Sequence, residues 1–225
     1  MPVYALPEDQ IVFPHPSQAI QGGLLAIGGD LSAERMILAY SNGIFPWNNA
    51  DEPLMWWCLT PRLMLKPEEI RLHKSMRQWM NKHDLELRYD RHFLDVLLAC
   101  KTIERKNQQG SWLHPALLES LLNLHELGIA HCVSVHQGEK MIGGLYGLGI
   151  GKVFCGESMF SYFPNASKLA LIKLCEKLCS LGYQYIDCQQ ETDHLKSMGA
   201  KVMESDSFFE LLEKNKQYPI EQRKW

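Results

Sequence analysis

Three polar residues in this chain have types and spacing suited to chemistry: Glu157, Asp187 and Gln189. Asp187 and Gln189 stand two apart, the interval that puts side chains on one face of a β-strand. Both sit among apolar residues, where a carboxylate or an amide is costly to bury without partners. Glu157 lies in a second strand-like segment, 153–160, whose alternation places Cys155, Glu157 and Met159 on one face and Phe154, Ser158 and Phe160 on the other. If the two segments pair, the three polar residues gather beside Met159. Such a cluster beside apolar side chains is read here as an acyl-transfer site.

The elements that must position these residues follow from periodicity. Residues 130–135 and 141–148 read as a hairpin around the turn Gln137-Gly138-Glu139-Lys140. Gly149-Ile150-Gly151-Lys152 forms a second turn before 153–160. Asn165 caps a helix to Leu181, and Gly182 closes it. Residues 185–189 form the next strand, and a helix joining two strands makes a parallel crossover the default. A short helix over 191–198 and a last one capped by Asp206 complete this half. The glycines between 143 and 151 suggest a nucleotide loop, but a strand follows them. A phosphate loop needs a helix there, so the glycines are read as allowing close backbone approach.

Earlier in the chain, Asp30 and Ser32 offer caps for a helix over 33–42 ended by Gly43. Leu63–Leu65 reads as a strand. Pro67 opens a helical stretch to Lys82, with Lys74, Arg77 and Lys82 on an exposed face. Residues 85–89 alternate as a strand, Asp90 caps the next helix, and Pro115 starts another that Gly128 closes. A domain boundary is placed near residue 110. This separates an N-terminal domain (1–110) carrying the basic helix from a catalytic domain (111–225).

The 225 residues are 46% hydrophobic, enough for a substantial core. No segment approaches the roughly 20 apolar residues that a membrane span needs, and the start lacks the basic and apolar regions of a signal peptide. Seven cysteines without a Cys-x-x-Cys pair suggest reduced thiols in a cytoplasmic protein, with no metal site. Net charge is −3, yet residues 62–106 carry +4 and the remainder −7, a basic patch on an acidic body.

The order strand, strand, strand, helix, strand, helix is similar to the core of acetyltransferase-like (GNAT) folds. The expected class is therefore α+β: a small N-terminal α/β domain plus an acetyltransferase-like C-terminal domain. Enzymes of that class seat the pyrophosphate of coenzyme A in a Gly-rich loop, but Ser161-Tyr162-Phe163-Pro164-Asn165 contains no glycine. This points to a different acyl donor and to no cofactor.

The chain also resembles, over nearly its whole length, the bacterial leucyl/phenylalanyl-tRNA–protein transferases. The resemblance rests on Gly28-Gly29-Asp30-Leu31, Ala39-Tyr40, Gly43-Ile44-Phe45-Pro46-Trp47, Trp56-Trp57, Leu124-His125-Glu126-Leu127-Gly128, residues 143–147 and 154–160, Asn165–Lys168 and residues 186–189. It implies transfer of Leu or Phe, and less well Met, from aminoacyl-tRNA to proteins that begin with Lys or Arg, marking them for degradation. It also implies that Asp187 orients Gln189, whose carbonyl oxygen accepts from the attacking amine, and that Glu157 supplies negative charge near the basic acceptor. Leu145, Phe154, Met159, Leu171, Leu174 and Ile186 would form the donor pocket. Trp47 and Trp112 would stack on the terminal adenosine, and Lys74, Arg77 and Lys82 would meet acceptor-stem phosphates. The chain departs from the family's pattern at Cys58-Leu59-Thr60, Leu121, Leu145 and Leu174. The alternative on the same fold is an acyl-coenzyme A enzyme or a cell-wall peptide-bridge transferase.

Overall fold

The computed structural model describes residues 3–103 and 113–225. In chain order the elements are β1 (Tyr4–Leu6), β2 (Leu24–Gly28), α1 (Ala33–Ser41), β3 (Phe45–Pro46), β4 (Met55–Trp57), β5 (Arg62–Leu65), α2 (Lys74–Lys82), β6 (Glu86–Tyr89) and α3 (Phe93–Thr102). Then come α4 (Pro115–Glu126), β7 (Ala130–Gln137), β8 (Lys140–Ile150), β9 (Val153–Ser161), α5 (Ala166–Ser180), β10 (Tyr185–Asp187), α6 (Asp193–Ser197), β11 (Lys201–Met203) and α7 (Ser205–Asn215). The architecture is α+β, with a four-stranded sheet ordered β1-β2-β4-β3 and a seven-stranded sheet ordered β11-β5-β10-β9-β8-β7-β6.

Two cores flank the large sheet. One is built from α1, α3, α4, α7 and the small sheet, with Tyr146, Leu148, Cys155 and Phe160 pointing into it. The other lies under α5 and α2, and takes Leu145, Phe154, Ile186 and the apolar face of α5. β10 pairs parallel with β9 across the α5 crossover, in the register Ile186↔Phe154 and Asp187↔Cys155. β5 and β6, both before residue 110, are strands of this same sheet, while residues 104–112 lie outside the described part.

Glycine in β8 reflects crowding. A Cβ on Gly143 would strike Ala166 at the start of α5, and one on Gly147 would meet the Phe154 ring at 2.6 Å. The Phe154 ring thus lies over Gly147.

Four local expectations are corrected. The stretch from Pro67 is a short 3-10 turn, Pro67–Glu69, and the α-helix starts only at Lys74. Asn165 takes a left-handed backbone, φ 71°, and makes no cap hydrogen bond; the Ser161 hydroxyl accepts from the Ser167 N–H instead. Asp206 lies inside the first turn of α7 rather than capping it. Asp90 caps nothing either: its carboxylate is drawn to β7, where the backbone N–H of Cys132 and the ring of His131 meet it.

Candidate active site

The largest departure from simple alternation falls at Glu157. β8 and β9 pair Leu148 with Cys155 and Gly147 with Gly156, but the next pair is Tyr146 with Ser158. Glu157 is the extra residue of a β-bulge, and a bulge reverses the side-chain parity of everything beyond it. Cys155 and Met159 therefore do not share a face, contrary to the alternation. Phe154 and Met159 do, and both join Leu145 on the α5 side. The bulge thereby assembles one apolar wall from residues that strict alternation would split.

That wall bounds a cavity of about 420 Å³, lined by Leu145, Phe154, Met159, Leu171, Leu174 and Ile186, with Glu157 and Gln189 among its polar members. Trp47, 38% exposed, lines it from the small sheet and packs edge-on against Trp57, ring centroids 5.5 Å apart. Trp112 lies outside the described residues. Lys74, Arg77 and Lys82 are all exposed on α2 and do not line the cavity. Their helix is docked by Trp79 and His83 against Phe163, in the loop that leads into α5.

The polar cluster is organised differently from its sequence reading. β10 ends at Asp187, and Gln189 turns out of the strand with φ 57°. The Asp187 carboxylate accepts from the Gln189 backbone N–H at 2.9 Å, so it fixes the left-handed turn rather than the amide itself. The Gln189 side chain donates through Nε2 to Glu157 Oε1 at 2.9 Å. The hydroxyl of Tyr40, on α1, hydrogen-bonds the same carboxyl. Burial pushes Tyr40 well above its ordinary range, so it stays a donor.

Periodicity did not single out Arg62. Its guanidinium meets Asp187 through two bonds, Nε to Oδ1 at 2.7 Å and Nη2 to Oδ2 at 2.8 Å, and lies over the rings of Phe45 and Phe208. A buried aspartate requires a cation, and that requirement was the one available signal. The guanidinium and burial divide the roles of the two carboxylates. Asp187 is matched by a full countercharge, whereas burial pushes Glu157 up to about 7 against the donors that lower it. Cys188 also lines the cavity, but burial raises its thiol far above the ordinary range, leaving it protonated and weakly nucleophilic.

An apolar cavity edged by the Gln189 amide, which donates to the Glu157 carboxyl, can seat an apolar side chain beside a polar group able to orient a reacting partner. A family model of the leucyl/phenylalanyl-tRNA protein transferases matches residues 64–213, and the model of that family's N-terminal domain matches residues 29–59. Transferases of this name from Maridesulfovibrio salexigens, Nitrosomonas eutropha and Syntrophus aciditrophicus are 42%, 45% and 46% identical. They cover 100%, 95% and 96% of this chain and 94%, 92% and 90% of their own lengths. The chain belongs to the leucyl/phenylalanyl-tRNA protein transferase family, a family of aminoacyltransferases. A conserved protein of unknown function from Bacteroides thetaiotaomicron superposes on 61% of this chain and 54% of its own, with a TM-score of 0.45 and 14% identity, too loose a likeness to fix the fold family.

Proposed function

We propose that this protein transfers Leu or Phe, and less well Met, from aminoacyl-tRNA to the α-amino group of proteins that begin with Lys or Arg. It does so in the cytoplasm, and the added residue marks those proteins for degradation. The observation that carries the reading is the cavity itself: about 420 Å³ walled by six apolar residues, with room for a side chain unbranched at Cβ such as that of Leu, Phe or Met, and edged by the Gln189–Glu157 pair. One methylene discriminates by only about 1–3 kcal/mol in such a pocket, and a methionine in the wall adapts its shape, so several apolar donors are accepted together.

The ester of a charged tRNA is already activated. The attacking amine, with a pKa of about 7.7–8.0, has a neutral fraction at pH 7. As the C–N bond forms and the ester C–O bond breaks, the amine proton leaves for the departing ribose oxygen. In this reading Gln189 spends its N–H on Glu157 and offers its carbonyl oxygen to the amine. A neutral amide is a weak base, so its part is orientation. Positioning of this kind contributes up to about 7–11 kcal/mol in favourable cases. Trp47 with Trp112 would hold the terminal adenosine, and Lys74, Arg77 and Lys82 the phosphates.

The test uses Phe-charged tRNA with one peptide beginning with Arg and another beginning with Ala. Transfer to the Arg peptide alone is expected. Transfer to neither, with acetyl-coenzyme A consumed instead, would sink the reading in favour of an acyl-coenzyme A enzyme.

A further inference from the structure

Phe154 forms part of the donor wall, and what stands behind it determines how far that wall can yield. Its ring lies across Gly147, toward β7, where the next ring is that of Trp225. The two centroids are 5.7 Å apart. The Trp225 indole is stacked flat on His131, 3.9 Å between centroids and 5° between planes, and meets Tyr183 edge-on at 6.5 Å. It therefore occupies the space into which Phe154 would otherwise swing. The segment carrying Trp225 is tied down independently of the ring. The Arg223 N–H donates to the Gly128 carbonyl, Lys224 pairs with Glu126, and the Trp225 N–H donates to Asp90 Oδ2 at 2.6 Å. That Asp90 oxygen also holds His131 Nδ1 at 2.8 Å, and both side chains are buried. One carboxylate thus fixes both the indole's backbone and the imidazole beneath it.

We propose that Trp225, held by Asp90, is a specificity-determining residue that sets the depth of the donor pocket by backing Phe154. The inference rests on the cavity being the donor pocket. Trp225 itself does not line that cavity and touches no reacting atom, so its effect must pass through Phe154. Removing the indole lets Phe154 retreat, which lengthens the pocket and favours large aromatic donors over Leu.

The experiment measures kcat/KM for transfer of Leu, Phe and Trp from their charged tRNAs to an Arg peptide, using the full chain and the variants Trp225→Ala, Trp225→Phe and Asp90→Asn. A ratio of donors within one preparation is insensitive to the fraction folded. In Trp225→Ala the Phe-to-Leu ratio is expected to rise about tenfold, the low end of the discrimination set by one methylene, and Trp transfer to become measurable. Trp225→Phe and Asp90→Asn should move the ratio the same way by less. Unchanged ratios in the variants that remain active, with total rates simply lower, would show a purely structural strap and overturn the proposal. If the alanine variant does not fold, the other two decide on the same criterion. Failure of the unsubstituted protein to transfer Leu or Phe at all would instead overturn the donor-pocket reading and this inference with it.

Discussion

Arg62 and Asp187, 125 positions apart, form a two-bond ion pair in which each side chain is only 2% exposed. The pair joins β5, at the start of the large sheet's chain path, to β10, and Asp187 in turn holds the backbone of Gln189. Removing one member of such a pair leaves an uncompensated buried charge, which costs about 3–5 kcal/mol, whereas replacing both with apolar residues is often neutral. Arg62→Met is therefore expected to lower unfolding free energy by that amount. Arg62→Met with Asp187→Leu should recover most of it while transfer stays absent. Denaturant titration and a peptide-transfer assay test this together. A double variant that is both stable and active would show that Asp187 serves only the fold.

The elevated Glu157 carboxyl predicts a specific pH dependence. Its folded value, about 7, lies above the ordinary 4.5. Between these values the folded state holds more protons than the unfolded one, so this group's contribution to stability falls as pH rises from about 4.5 to 7 and is flat above. Glu157→Gln should remove that decline, and its advantage in denaturation midpoint should be larger at pH 8 than at pH 5. An advantage that does not grow with pH would mean that Glu157 ionises normally.

Catalysis should report the same group. The rate is expected to rise with pH in two steps, one near 7 from Glu157 and one near 8 from the substrate amine. Glu157→Gln should lose the lower step and act more weakly on Arg-initiated peptides. A pH profile of kcat/KM separates the two.

Gly147→Ala should act on the pocket as well as on the fold. The added methyl would collide with the Phe154 ring at 2.6 Å and with the carbonyl of Cys155. Overpacking of this kind costs about 1–3 kcal/mol. Trp225 stands on another side of the ring, 5.7 Å between centroids, so the expected displacement of Phe154 is toward the cavity. Transfer of Phe should consequently fall more than transfer of Leu, as donor competition would reveal.

Lys74, Arg77 and Lys82 are exposed on α2, and the proposed phosphate contact makes a quantitative demand. Each phosphate contact contributes a slope of about −0.9 to the logarithm of affinity against the logarithm of salt concentration. Replacing all three by alanine should flatten the slope for tRNA binding by about 2–3. Filter binding at several salt concentrations measures it. An unchanged slope would place the tRNA on another surface.

Much of this molecule was legible from local pattern. The hairpin of β7 and β8 follows from short-range alternation, and the parallel pairing of β9 with β10 from the default crossover of a helix that joins two strands. The apolar cavity residues were legible only through the family resemblance, because alternation by itself put Phe154 and Met159 on opposite faces. Asp90 was misread because a carboxylate before a helix has two possible partners, and a strand 41 residues away supplied the better one.

By itself, then, the sequence determined most of the helices, the long strands and, through its ordered matches, the family, while β1, β3, β4 and β11, two or three residues each, are too short to show a period. Tertiary structure alone decided how these residues meet and with which partners. The bulge at Glu157 turns Met159 onto the face of Phe154, because one extra residue reverses a period of two, and Gly156 beside it is the one local sign of where it falls. The partners of Asp187 and Glu157, Arg62 and Tyr40, come from segments more than a hundred residues away. Buried charge and buried amide must be matched in three dimensions, and no local periodicity records with whom.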